Sequence, residues 1–90
     1  MEFRFIDNAK EKFVEKFNGK QVRIFLSKKS WMGVAFDWVL DEPKEDDTVV
    51  DVEGVSVILD RKVVENTPYM NIDYAAHGPF EPDFIINYFK

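Results

Sequence analysis

The chain has 90 residues, 46% of them hydrophobic and 32% charged. That length and composition predict one folded domain spanning residues 1–90 and exclude a disordered chain. The sequence contains no cysteine and one histidine. It therefore excludes disulfides, zinc–thiolate sites, cysteine nucleophiles and a multi-histidine metal site within one chain.

Charge is distributed unevenly along the sequence. Residues 1–30 have a net charge of +4, residues 31–60 have −8, and the whole chain has −5. An acidic chain is a poor ligand for phosphate backbones, so we expect no nucleic-acid partner. No apolar run approaches the roughly 20 residues of a membrane span, and residues 1–7 lack the apolar core of a signal peptide. We therefore expect a cytoplasmic protein without a membrane partner.

Residues 7–17 have the pattern of a helix. Ala9, Phe13 and Phe17 fall near one face, and Asn8 with Glu11 has capping-box spacing. Asn18-Gly19 is a stop signal, because both residues tolerate the left-handed conformation.

After Gly19 the hydrophobic pattern changes to that of short strands. The predicted strands are residues 21–26, 32–40, 48–52, 55–59, 63–65, 70–74 and 83–89, joined by polar or proline-containing segments at residues 27–30, 41–47, 60–62, 66–68 and 75–82. Gly33, inside the second strand, indicates a bulge or a close backbone approach. One N-terminal helix followed by six or seven short strands predicts a mainly β fold, closed as a compact sandwich or pseudo-barrel.

Several short segments, in this order and spacing, carry a resemblance to a known family. They are Asp7-Asn8-Ala9, Gly33-Val34-Ala35-Phe36, Asp41-Glu42-Pro43 followed by Asp46-Asp47, residues 52–60 (VEGVSVILD), Ile72-Asp73-Tyr74 and Phe84-Ile85-Ile86-Asn87. Together they resemble the HesB/IscA family, the A-type carriers of iron–sulfur cluster assembly. The resemblance covers nearly the whole chain and implies the HesB-like fold and a homodimer.

The cysteines with which that family works are missing. Family members carry one cysteine in a Gly-Cys-Ser-Gly-like turn and a Cys-x-Cys pair near the C-terminus. Matching the turn to Ser30-Trp31-Met32-Gly33 puts Trp31, or a neighbour, at the cysteine position, and the sequence stops at Lys90, about where the paired-cysteine tail would begin. Because thiolates hold such clusters, we expect no cluster. We also expect no other cofactor and no enzymatic activity. The expected role is a module that binds a protein or a small ligand and is associated with iron–sulfur cluster biogenesis.

Trp31 and Met32 are the residues that we expect to make the interaction. They lie beside Phe36 and Trp38, so packing in the core is the alternative. A tryptophan that follows Lys28-Lys29-Ser30 is nevertheless placed where a turn should be exposed, and exposed tryptophans often mark interfaces. The C-terminal Tyr88-Phe89 either covers a sheet edge or meets a second subunit.

A second hypothesis is a mononuclear iron or divalent-metal site. His77 has Asp73 four residues before it and Glu81 four residues after, and one histidine with two carboxylates is a known iron-binding set. A solvent-exposed loop histidine is the alternative. The acidic stretch 41–47, with Asp51, lacks the calcium-loop pattern and is expected to be a solvated loop.

A third hypothesis is a small enzyme with a pair of carboxylates. Its candidates are Asp37, Asp73 and Asp83, and the sequence singles out no pair among them. A serine triad would combine His77 with Ser27, Ser30 or Ser56, but no GxSxG elbow supports it.

Overall fold

The computed structural model describes residues 1–52, 54–76 and 82–89. Seven strands and two helices occur in this part of the chain: β1 (Glu2–Phe5), α1 (Ala9–Phe17), β2 (Val22–Ser30), β3 (Gly33–Leu40), β4 (Thr48–Val52), β5 (Val55–Leu59), α2 (Arg61–Asn66), β6 (Tyr69–Ala75) and β7 (Asp83–Phe89). The predicted mainly β fold is therefore confirmed. No helix among the described residues is both long and apolar enough to cross a membrane.

The strands form two sheets that face each other. One sheet has the order β1-β6-β7 and the other has the order β3-β2-β5-β4. Two of the pairings, β1 with β6 and β2 with β5, are parallel, and the rest are antiparallel. The sheets approach each other along both open sides, since β1 lies beside β4 and Tyr88 of β7 donates a hydrogen bond to the Val34 carbonyl of β3. This arrangement is the predicted pseudo-barrel.

The core lies between the sheets and is closed by α1. From α1, Ala9, Phe13 and Phe17 point inward, as the helical spacing predicts. They meet a set of fully or nearly buried aliphatic and aromatic side chains from the strands and α2: Phe3, Val22, Ile24, Val57, Leu59, Val63, Met70 and Ile72. Burying these side chains supplies most of the driving force for folding in a domain that has no disulfide to stabilise it.

The ends of α1 agree with the prediction at one terminus only. Asn18 adopts the left-handed conformation, with φ 48°, and its N–H donates to the Val14 carbonyl. At the start of the helix, Asn8 makes no side-chain capping bond, so the predicted capping box is absent. Asp7 has a positive φ of 49°. At this end of the helix the Ala9 N–H donates to the backbone carbonyl of Ile6.

Two elements differ from the prediction. Residues 63–65 lie in helix α2 and not in a strand, because Asp60 caps the helix by accepting a hydrogen bond from the Lys62 N–H. Residues 2–5 form strand β1, which the sequence pattern does not predict. The segment is short, and its partner β6 lies far along the chain. Val63 is fully buried from the helix, so its packing outweighs its β propensity.

Candidate functional site

The β2–β3 hairpin is longer than the sequence predicts and ends in an exposed turn. Residues 27–30, expected to be a connection, continue β2 and pair with β3 as far as Ser30 opposite Gly33. The pairing shifts by one residue between Leu26 and Lys28, which places a bulge at Ser27 and not at Gly33. The Ser27 hydroxyl donates to the Ala35 carbonyl across this bulge. A bulge increases the local twist and redirects the strand beyond it, so it sets the direction of the hairpin tip.

Trp31 and Met32 form the two-residue turn at the tip. Trp31 is 93% exposed and Met32 is 78% exposed, so the alternative of core packing is wrong for both. Outside glycine, only Asp7 and Asn18 among the described residues have positive φ. The turn is therefore not of the primed types that normally close two-residue hairpins. Gly33 follows with φ 140°, a conformation that side-chain-bearing residues rarely adopt.

Polar contacts on both sides brace the hairpin tip. The Ser30 hydroxyl lies 3.3 Å from the Met32 N–H, which donates to it, and 3.5 Å from the Gly33 carbonyl. The Tyr88 hydroxyl donates to the Val34 carbonyl at 2.8 Å, and its ring packs edge-on against Phe36. The tip is thus held from its own turn and from the facing sheet.

The end of the molecule at the hairpin tip is rich in exposed apolar side chains. Phe89, at the end of β7 and next to Tyr88, is 60% exposed. Met1 is 40% exposed and precedes Glu2, whose N–H donates to the carbonyl of Pro68. A cleft of about 500 Å³ opens at the same end, between the outer half of the hairpin and the end of α2. Its lining residues are Lys29, Ser30, Val34, Val64, Glu65, Asn66, Thr67 and Pro68.

A buried arginine organises the acidic loop 41–47. Arg23, only 5% exposed, donates from both terminal nitrogens to the two carboxylate oxygens of Asp47 at 2.6 Å. Its Nε donates to Asp41 at 2.8 Å, and Nη2 also donates to the Glu42 carbonyl. The sequence predicts a solvated acidic loop; residues 42–46 are exposed, but the carboxylates of Asp41 and Asp47 are bound by this one side chain.

The charges in this cluster shift the pKa of each partner. The hydrogen bond to Asp47 raises the pKa of the Arg23 guanidinium above its ordinary value. The same bond lowers the pKa of the Asp47 carboxyl below its ordinary value of 3.8. The pKa of Asp41 is lowered first by the backbone N–H of Glu42, which donates to it at 2.8 Å, and then by Arg23. The cluster holds loop 41–47 against the outer face of β2 and is structural in character.

The metal hypothesis rests largely on residues outside the described part of the chain. His77 and Glu81 are not among the described residues. Asp73 is half-buried on β6, and its carboxylate accepts a hydrogen bond from the Tyr74 N–H at 2.7 Å. Within residues 1–52, 54–76 and 82–89, no three histidine or acidic side chains come together as a metal site.

The carboxylates proposed for an acid–base pair are each engaged locally. Asp37 accepts from the Trp38 N–H and Asp83 accepts from the Phe84 N–H, both at 2.8 Å. Asp37 lies in the four-stranded sheet, whereas Asp73 and Asp83 lie in the three-stranded sheet. A cleft of about 510 Å³ at the C-terminal end of α1 has no carboxylate among its lining residues, which are Phe13, Val14, Phe17, Gly19, Lys20, Gln21, Gly54, Val55 and Ser56.

The architecture is that of the HesB/IscA fold, as the sequence resemblance implied. The crystal structure of Escherichia coli SufA, a protein involved in biosynthesis of iron–sulfur clusters, matches with a TM-score of 0.71 and 16% identity, covering 96% of this chain and 79% of SufA. The crystal structure of IscA with the [2Fe-2S] cluster matches with a TM-score of 0.75 and 16% identity, covering 96% of this chain and 84% of IscA. No protein-family model and no curated protein sequence matches the chain.

The side chains of this chain do not fit an iron–sulfur cluster of the kind in that IscA structure. Protein ligands to such clusters are cysteine thiolates, with histidine as a known replacement. The 90 residues contain no cysteine, and their single histidine lies outside the described residues. At the hairpin turn, Trp31 and Met32 present an indole and a thioether to solvent. The hairpin turn therefore offers apolar contact and no thiolate that could hold such a cluster.

Proposed function

We propose that this protein is a binding module associated with iron–sulfur cluster biogenesis, acting through contact with a protein partner and not by carrying a cluster or catalysing a reaction. The observation that carries the proposal is the exposure of Trp31 and Met32 at a braced hairpin tip. The association with cluster biogenesis rests on the fold shared with SufA and IscA. The compartment that we propose is the cytoplasm.

The local structure supports a binding role for the hairpin tip over a structural one. A side chain that is 93% exposed adds little to folding, because it buries almost no apolar surface. Tryptophan is among the residues that most often anchor protein interfaces, and here it is left in water at a turn held by hydrogen bonds. Small ligands in the adjoining cleft, next to Lys29 and Ser30, are the other class of occupant.

Affinity capture from the native cell tests the association. Wild type and Trp31→Ala are used as baits in parallel, and bound proteins are identified by mass spectrometry. We expect iron–sulfur assembly proteins to be enriched on wild type and lost from Trp31→Ala. A matched control is Val14→Ala, which shortens an exposed apolar side chain on α1 (46% exposed) and is expected to capture the same partners as wild type. Capture without any assembly protein would contradict the association.

Anaerobic reconstitution with iron and sulfide tests the absence of a cluster. We expect the absorbance of the desalted protein above 300 nm to stay at that of a buffer-treated sample, because no thiolate is present. A stoichiometric cluster that survives desalting would overturn this part of the proposal.

Size-exclusion chromatography with light scattering tests whether the protein is the homodimer that the family resemblance implies.

A further inference from the structure

The hairpin tip carries a charge opposite to that of the chain as a whole. Residues 27–34 contain Lys28 and Lys29 and no carboxylate, while the chain has a net charge of −5. Both lysines are exposed, and neither has an ion-pair partner among the described residues. An approaching acidic surface is attracted by this tip and repelled by residues 35–60, which follow it in the chain and have a net charge of −8. The charge distribution therefore favours docking of an acidic partner at the tip.

The apolar part of the hairpin tip combines a large aromatic side chain with a flexible one on a turn that is held by hydrogen bonds. Trp31 supplies a large rigid ring, and Met32 supplies a flexible thioether that adapts to irregular pockets. The contacts of Ser30 and Tyr88 described above fix the backbone of the turn. Hydrogen bonds that already restrain a turn reduce the conformational entropy that it loses on binding, so more of the apolar contact energy appears as affinity.

We infer that the hairpin tip inserts into an apolar pocket of a partner protein, and that the rim of this pocket carries carboxylates. The inference rests on the proposed function, because it takes the tip to be the protein-binding surface, and it specifies the partner's chemistry. Trp31 and Met32 fill the pocket, while Lys28 and Lys29 meet the rim. The lysines then speed association in a salt-dependent manner, and the apolar pair slows dissociation.

An anionic membrane is a weaker fit to the same residues. Basic segments that bind anionic lipid use about four to eight lysines or arginines, each contributing about 1 kcal/mol near the surface. The tip offers two, and the net charge of −5 opposes approach of the rest of the molecule to the bilayer. The charge on the tip is thus enough to orient an acidic protein and too small to hold the chain on a membrane.

Selection from a random-peptide phage library tests the inference without knowledge of the partner. The immobilised full chain is panned, with counter-selection against Trp31→Ala. We expect the selected peptides to combine aromatic or aliphatic residues with aspartate and glutamate. Binding of the synthetic peptides should weaken ~10-fold or more in Trp31→Ala, the loss typical of an interface anchor. It should weaken roughly threefold in Lys28→Glu/Lys29→Glu at low salt, with a smaller loss at high salt.

Two control variants match these changes elsewhere on the surface. Val14→Ala shortens an exposed apolar side chain on α1, and Lys20→Glu/Lys62→Glu makes the same change in net charge away from the hairpin tip. Both are expected to bind the selected peptides like wild type. Circular dichroism verifies that every variant is folded, which the exposure of all the substituted side chains leads us to expect.

Three results would overturn the inference: selected peptides without acidic residues, binding that is unaffected by Trp31→Ala, or a blue shift of Trp31 emission on phosphatidylserine vesicles, measured in Trp38→Phe so that Trp31 is the sole tryptophan. These results are separate from failure of the proposed function. Acidic apolar peptides at the tip, together with no assembly proteins in the capture experiment, would leave the tip inference standing and remove the association. Capture of assembly proteins equally by wild type and Trp31→Ala would support the association and remove the tip inference.

Discussion

Arg23 and Asp47 form a bidentate ion pair, with both N–O distances at 2.6 Å, beneath the loop that joins β3 to β4. Both side chains are 6% exposed. Paired charges with little access to water depend on each other, because either one left alone retains the cost of its desolvation. The two residues lie 24 positions apart, so the pair fixes the path of the acidic loop.

Removing the charge of Asp47 should therefore destabilise the protein strongly. We expect Asp47→Asn to lower the free energy of unfolding by about 2–4 kcal/mol, because Arg23 loses its bidentate acceptor in a poorly solvated position. Urea denaturation followed by circular dichroism measures the change. Asp46→Asn is the matched control, since this neighbouring carboxylate is exposed, and it should change stability by less than about 0.5 kcal/mol. Equal stability of the two variants would refute the coupling.

The same cluster predicts a loss of stability in acid. The pKa of Asp47 and that of Asp41 lie below the ordinary value of 3.8 in the folded chain. A carboxyl whose pKa is lower in the folded state stabilises that state above its unfolded pKa, and the contribution is lost as the pH falls through the folded pKa. We expect the urea midpoint to fall as the pH is lowered from about 4 towards 2, and less steeply in Asp47→Asn. If the urea midpoints of wild type and Asp47→Asn fall equally with pH, carboxyls other than Asp47 are responsible for the loss of stability in acid.

The two tryptophans should behave in opposite ways. Trp31 is exposed, whereas Trp38 packs edge-on against Phe17 at 5.0 Å and lies 4.7 Å beneath the Lys16 ammonium. We expect Trp31→Ala to leave stability within about 0.5 kcal/mol of wild type and Trp38→Ala to cost about 2–3 kcal/mol. Acrylamide quenching of the single-tryptophan variants Trp31→Phe and Trp38→Phe gives an independent measurement. The emission remaining in Trp38→Phe should be quenched more strongly, and the reverse order would contradict the exposed turn.

Gly33 should be required for the shape of the hairpin turn. A Cβ at this position would meet only the Tyr88 hydroxyl, at 3.8 Å, which is an ordinary contact. The cost of Gly33→Ala therefore comes from the backbone φ of 140°, and we expect about 1–2 kcal/mol of destabilisation. If Gly33→Ala proves neutral in thermal unfolding, the turn does not need that conformation.

The sequence was most informative where local pattern and tertiary context agree. The spacing of Phe13 and Phe17, the Asn18-Gly19 stop and the alternation around Val55–Leu59 each point to the element that forms. Val63 and Val64 mislead, because two β-branched residues favour a strand while the Asp60 cap and the buried position of Val63 fix a helix. The cap itself was a readable signal, since aspartate is a preferred N-cap residue.

The candidate site was only partly predictable for a related reason. A tryptophan after two lysines and a serine indicates an exposed turn, and Trp31 and Met32 are indeed exposed. Nothing local shows that Tyr88 reaches Val34 from the facing sheet, because that contact spans 54 positions. The Arg23 cluster was missed as well, although a lone arginine within an apolar strand and a later run of acids together suggest such a pair.

The parallel pairing of β1 with β6 has a consequence for how the chain folds. Glu2 faces Tyr69 and Phe5 faces Ile72, so residues from opposite ends of the sequence must meet before the three-stranded sheet can form. Such long-range pairing incurs the loop-closure entropy before it gains contact energy, and chains of this type fold in about milliseconds to seconds. On the ribosome, the hairpin of β2 and β3 can form early, but the barrel closes only after β6 has emerged. Until then the aromatic side chains of α1 lack much of the surface that covers them in the folded protein.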